Sequence, residues 1–136
     1  MQSGEIQKTR NRQAHTTIFA KHVYGNLYGV DSKLLIDPNF ISKLVVEAAR
    51  LGNLHILEMI SRKFNSYNGS EGGVSVIALI EESHISIHTW PEGEYATVDV
   101  YSCGAKAEPR RAFNYLVSIL KPKEYKAYNV DRGAVV

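Results

Sequence analysis

Apolar positions along the chain change period several times, and the changes mark the elements. From Ile18 to Tyr28, aromatic and β-branched residues broken by Gly25 read as a strand. Phe40, Ile41, Leu44, Val45, Ala48 and Leu51 then recur at helical spacing. Asp37 before Pro38 supplies an N-cap and a first-turn proline, and Gly52 stops the run. A second helix is predicted from Pro109 through Ala112, Phe113, Leu116, Val117 and Leu120, with Pro122 closing it. Between the helices lie strand candidates at about Leu54–Phe64, Val74–Ile80, His84–Trp90 and Tyr95–Tyr101, and Glu124–Val130 gives a last one.

The connections order these pieces. Asn65–Gly73 is rich in Gly, Asn and Ser, whereas Glu81–Ser83 and Pro91–Glu94 are of hairpin length, so their flanking strands should pair antiparallel. Two amphipathic helices can cover one face of such a sheet. The expected fold is α/β (α+β), a two-layer sandwich of a mainly antiparallel sheet with two helices on one face.

Composition narrows the function classes. The chain has 136 residues, 44% apolar and 22% charged, which suits one soluble domain with a real core. A net charge of +2 is too small to argue for a nucleic-acid or anionic-membrane partner, and none is expected. The N-terminal MQSGEIQKTRNRQ is polar and has no hydrophobic core of a secretory signal, so residues 1–17 read as a disordered arm before one domain spanning 18–136. The single cysteine, Cys103, has no internal disulfide partner and agrees with a cytoplasmic protein.

Chemistry concentrates in Glu81-Glu82-Ser83-His84-Ile85-Ser86-Ile87-His88-Thr89-Trp90-Pro91. By alternation His84, Ser86, His88 and Trp90 share one strand face while Ile85 and Ile87 share the other. The plain reading is a solvated strand face. His84 and His88 as metal ligands have no third ligand placed by spacing, so no metal is assigned. A third reading groups Ser83 at the turn with His88 and Cys103 as nucleophile and acid–base groups. Against it, a lone cysteine is commonly a small buried apolar residue. Ser83 and His88 also differ by an odd number. A flat strand would point them to opposite faces unless Ser83 lies in the turn or a bulge re-aims it.

Glu82-Ser83-His84-Ile85-Ser86-Ile87-His88-Thr89-Trp90-Pro91, with Tyr95-Ala96-Thr97-Val98-Asp99-Val100-Tyr101-Ser102-Cys103-Gly104, resembles the core signature of the small prokaryotic S-adenosylmethionine decarboxylases. The resemblance runs from about Lys21 to Arg132. It implies a self-cleaving zymogen of polyamine biosynthesis that carries a covalent pyruvoyl group and acts as a homodimer of processed protomers. Carried onto this sequence, the Ser83 hydroxyl attacks the Glu82 carbonyl, and the products are Met1–Glu82 and Ser83–Val136, with Ser83 converted to the pyruvoyl that forms a Schiff base with substrate. His88 and Ser75 match the residues that assist processing, and Cys103 matches the proton donor. Phe64, Glu82 and Trp90 are the candidate substrate contacts.

A branch of the same family decarboxylates arginine, to agmatine and carbon dioxide, instead of S-adenosylmethionine. This chain resembles that branch at Gly25-Asn26, Gly52-Asn53-Leu54-His55 and Thr97, and in its N-terminal arm and closing Asp131-Arg132. Phe64 points the other way, because it matches an aromatic that stacks on adenine, although it also reads as a core aromatic. Arginine would need a carboxylate to meet its guanidinium. Glu58, Glu71, Glu81, Glu82 and Glu94 all qualify. The reading from a different class is a small ligand-binding α/β module without catalysis. The Lys121, Lys123, Tyr125, Lys126, Tyr128 alternation is then a lysine-edged surface strand and not a nucleic-acid contact.

Overall fold

Asp37 and Pro38 start the first helix as their chemistry requires. The Asp37 carboxylate accepts the Asn39 N–H at 2.9 Å, and α1 runs Pro38–Leu51 with Gly52 as its C-cap. Helix α2, Pro109–Leu120, ends at Lys121, whose φ of 48° is left-handed. Both helices bury one stripe: Ile41, Leu44, Val45 and Ala48 from α1, and Ala112, Phe113, Leu116 and Leu120 from α2.

The computed structural model describes residues 4–10, 13, 15–66 and 68–136. Residues 1–3, 11, 12 and 14 of the expected arm, and Tyr67 in the Asn65–Gly73 connection, lie outside the described residues. The strands are β1 Thr17–Ile18, β2 Ala20–Tyr28, β3 Ile56–Lys63, β4 Val74–Ile80, β5 Ser83–Trp90, β6 Tyr95–Cys103, β7 Glu124–Asp131 and β8 Ala134–Val135. Six of them form one sheet in the order β3-β4-β5-β6-β2-β7, antiparallel at every step. The β4–β5 and β5–β6 hairpins are those the short connections predict. The run expected to be one strand from Ile18 to Tyr28 breaks at Phe19. Its start, β1, pairs instead with β8. The N–H groups of His15 and Thr16 also donate to the Val136 carbonyl, at 2.7 and 2.5 Å. Thus the last residues of the expected arm are tied to the C-terminal end.

Helix α1 packs over β3 and β4, and α2 over β6 and β2. Strand alternation sends Val23, Leu27, Val76, Ala78, Ile85, Ile87, Val98 and Val100 into this layer, the core of an α+β two-layer sandwich. Gly25 belongs to it as well. A Cβ there would stand 2.3 Å from the Lys126 carbonyl and 2.8 Å from the Phe113 ring, so only glycine lets α2 sit this close to β2. The opposite face is open, and Ile60, Ile77 and Leu79 on it are each about half exposed, at 60, 48 and 51%. Among the described residues no helix is long and apolar enough to cross a membrane.

Candidate active site

The β4–β5 hairpin turns at Glu81-Glu82, and its register pairs Ile80 with Ser83. Ser83 has φ = 151°, a backbone conformation that a residue with a Cβ rarely adopts. The β4–β5 and β5–β6 registers run without a bulge, so this torsion, and not a bulge, takes Ser83 out of the strand's alternation. Its hydroxyl lies 4.0 Å from the Cys103 thiol, at the end of β6. The Glu82 carbonyl, the acyl group of the bond before Ser83, accepts the Cys103 N–H at 2.6 Å. Cys103 is half-buried on the open face and reaches the serine, so it is not a core packing residue.

The Glu82 carboxylate is held from the other side. It accepts the His55 N–H at 2.9 Å and lies 2.7 Å from His55 Nδ1. Burial works to raise the Glu82 carboxyl, but the His55 hydrogen bonds outweigh it and leave the group below the ordinary carboxylate range. The same hydrogen bond raises His55, with the Glu82 charge second. The Glu81 carboxylate comes within 4.8 Å of both partners. Among the candidate substrate contacts, Glu82 is therefore already engaged with its own protein.

At the far end of β5, Ser75 of β4 stands opposite His88. The hydroxyl and His88 Nδ1 share a 2.7 Å hydrogen bond. These two residues form a pair, but not with Ser83. The five residue steps of unbulged strand from Ser83 to His88 amount to about 16 Å. The structure thus brings together Glu82, Ser83 and Cys103 at one end, and Ser75 and His88 at the other. A cleft of about 530 Å³ opens at the second end, lined by Phe64, Glu71, Ser75, His88, Trp90 and Glu92. Phe64 lies just after β3 and is 55% exposed, which removes the core-aromatic reading. Glu71 is 3.2 Å from the Lys63 ammonium. Glu92, absent from the carboxylates singled out by sequence, lines the cleft from the turn after β5. A larger hollow of about 730 Å³ beside the start of α2, bordered by Lys21, Arg110 and Asn129, holds none of the candidate residues.

The open face between the two ends carries a cluster that local patterns did not reveal. His22 Nε2 is 2.9 Å from Asp99 Oδ1. The rings of His22, His84 and Tyr101 touch edge to face or tilted. Arg132 lies 4.4 Å over Tyr101. Burial lowers His84, partly offset by the Asp99 charge. His84 is therefore part of a side-chain network with His22 and Tyr101.

The comparisons with known proteins agree with the geometry. The curated arginine decarboxylase proenzyme of Hyperthermus butylicus is 53% identical over 130 residues, covering 96% of this chain and 89% of its own. That of Pyrobaculum arsenaticum is 48% identical over 133 residues, covering 98% of each. The crystal structure of the adenosylmethionine decarboxylase from Aquifex aeolicus superposes with a TM-score of 0.78 at 34% identity, over 88% of this chain and 94% of that one. The family model described as S-adenosylmethionine decarboxylase matches residues 21–133. With the strained serine, the carbonyl held before it and the thiol beside it falling inside that match, the chain belongs to the S-adenosylmethionine decarboxylase family.

Proposed function

We propose that this chain is a proenzyme that cuts itself between Glu82 and Ser83 and then decarboxylates arginine to agmatine. The observation that carries the reading is the contact set at the bond itself: Ser83 at φ = 151°, and the Glu82 carbonyl on the Cys103 N–H at 2.6 Å. A strained residue after a polarised carbonyl is primed for attack, because the donor already points where negative charge develops. The Ser83 Oγ bonds to the Glu82 carbonyl carbon as the Glu82–Ser83 amide breaks, giving an ester. Loss of the Ser83 α-proton then breaks the Cβ–Oγ bond and releases Glu82 with a free main-chain α-carboxylate. Water converts the resulting enamine to a pyruvoyl group and ammonia. These contacts suit formation of that group at Ser83; once present, it supplies the electron sink for loss of carbon dioxide from an α-amino acid. Cys103, 4.0 Å from Ser83 Oγ, is placed to return a proton to the decarboxylated carbon.

His88 and Ser75 are the proton-moving pair for processing, and their distance from Ser83 in one protomer calls for a second copy. A two-fold axis that lays one β5 antiparallel to its mate would bring the His88 end of each to the Ser83 end of the other, at both sites at once. The exposed Ile60, Ile77 and Leu79 supply apolar surface for that contact.

Arginine is favoured by the names of the relatives and by Glu92 on the cleft wall. A guanidinium needs an uncommitted carboxylate, and Glu71 already meets Lys63. S-adenosylmethionine is the second reading, supported by Phe64 on the same wall. Intact mass of the purified protein should give chains ending at Glu82 and starting at a modified Ser83. Competing the two substrates should give the larger kcat/KM for arginine. A single uncut chain overturns the first part, and turnover of S-adenosylmethionine without arginine overturns the second.

A further inference from the structure

The bond before Ser83 is gripped from two sides, and only one grip belongs to its own hairpin partner. Cys103 N–H holds the Glu82 carbonyl oxygen. A single hydrogen bond fixes that oxygen but leaves the peptide free to pivot about the C=O axis. The second point is His55, whose N–H and Nδ1 both engage the Glu82 carboxylate, at 2.9 and 2.7 Å. His55 also accepts the Glu81 N–H on its carbonyl at 2.9 Å, so both turn residues are fastened to the segment between α1 and β3.

Local structure delivers His55 to this spot. Asn53, just past α1, has φ = 56°, a left-handed position that asparagine tolerates. Its side-chain amide donates to the Lys106 carbonyl at 3.1 Å, in the connection that follows Cys103. A bulge in β3 between Ile56 and Glu58 then turns the chain into the sheet. The segment bearing His55 and the one bearing Cys103 are thus tied to each other as well as to Glu82. The Glu82 side chain is 15% exposed and that of His55 61%, so the imidazole covers a carboxylate partly withdrawn from water.

We infer that His55 is a positioning residue for self-cleavage, acting through the Glu82 carboxylate to fix the carbonyl that Ser83 attacks. Attack is sensitive to small errors of placement, because the reacting atoms must meet in one orientation. The inference rests on the proposed self-cleavage and adds a residue that does not touch the reacting atoms.

The test is the time course of cutting in freshly made precursor, followed by intact mass, for wild type, His55→Ala and His55→Asn. Alanine keeps the backbone donor and loses Nδ1, while the asparagine amide nitrogen falls near the Nδ1 position. Losing a hydrogen bond to a charged group at this point should slow cutting about tenfold in His55→Ala. His55→Asn should recover to within about threefold of wild type. Cutting of His55→Ala at the wild-type rate, or equal slowing by Ala and Asn, overturns the inference. A wild-type chain that never cuts instead overturns the self-cleavage reading, and so separates the two failures.

Discussion

Two uncut variants should restore each other when mixed. Ser83→Ala removes the proposed nucleophile but keeps Ser75 and His88, whereas His88→Ala keeps Ser83 and Cys103. Alone, the first should remain one chain, and the second should stay uncut or halt at the ester. Within a protomer, the separation of about 16 Å along β5 far exceeds the roughly 3 Å over which a proton passes between hydrogen-bonded groups. In a two-fold dimer of one variant with the other, one site regains both Ser83 and His88 and the second lacks both. Random assembly from equal amounts puts about half of the His88→Ala chains into mixed dimers. About half of those chains should therefore be cut, and none of the Ser83→Ala chains. Different affinity tags separate the two by intact mass, and native mass spectrometry counts the mixed dimers. Mixed dimers present without cut chains would refute the shared site, and normal cutting of His88→Ala alone would remove His88 from processing.

Cys103→Ala keeps the backbone N–H on Glu82, so cutting should continue while turnover falls by about 10²–10⁴-fold and activity decays through misplaced protonation; an unchanged kcat would remove Cys103 as the proton donor. Gly25→Ala forces a Cβ to 2.3 Å from a backbone carbonyl and should cost about 1–3 kcal/mol of stability, read as a lower melting temperature in the Ser83→Ala background. The His55–Glu82 contact should carry its own pH signature in the same background. Stability from the lowered Glu82 is present above the ordinary carboxyl value of 4.5 and lost as pH falls through its folded value. Stability from the raised His55 is present below the ordinary imidazole value of 6.5 and lost as pH rises through its folded value. The melting difference between His55 and His55→Ala should therefore be widest between pH 4.5 and 6.5, and a flat profile would count against the ion pair.

The helices were legible because their ends carry their own chemistry: Asp37-Pro38 and Gly52 for α1, and Pro109 and Pro122 for α2. The central hairpins were legible because Glu81–Ser83 and Pro91–Glu94 are too short for anything else. The place of β2 between β6 and β7 was not, since pairing across so many residues leaves no local trace. The His55–Glu82 contact spans 27 positions and was hidden for the same reason. Ser83, His88 and Cys103 could be grouped from their chemistry as one reading among three, and Ser75 joined them only by resemblance. Their division between two ends of β5 follows from strand rise alone, once the strand is accepted. The positions that the resemblance read as leaning toward arginine also divide. Gly25 answers to the Phe113 ring, and Asn53 to a left-handed backbone. Thr97 pairs with His88, and Asn26 pairs with Thr97, so these two stand at the cleft end of the sheet.

Cutting at Glu82 would change the molecularity of the fold. Strand β2 would then belong to one polypeptide while β6 and β7, on either side of it, belong to the other. The ribbon of β1 with β8 would become a bond between the start of the first chain and the end of the second. The precursor can pair all these strands as one molecule, with no dependence on concentration. The mature form, once melted, would have to find its partner by diffusion, so its refolding becomes second order and its melting temperature depends on protein concentration. Unfolding of the Ser83→Ala precursor should stay reversible under conditions where the mature protein falls apart for good. In effect, self-cleavage would exchange equilibrium stability for kinetic stability, leaving the enzyme durable only as long as the interleaved sheet stays closed.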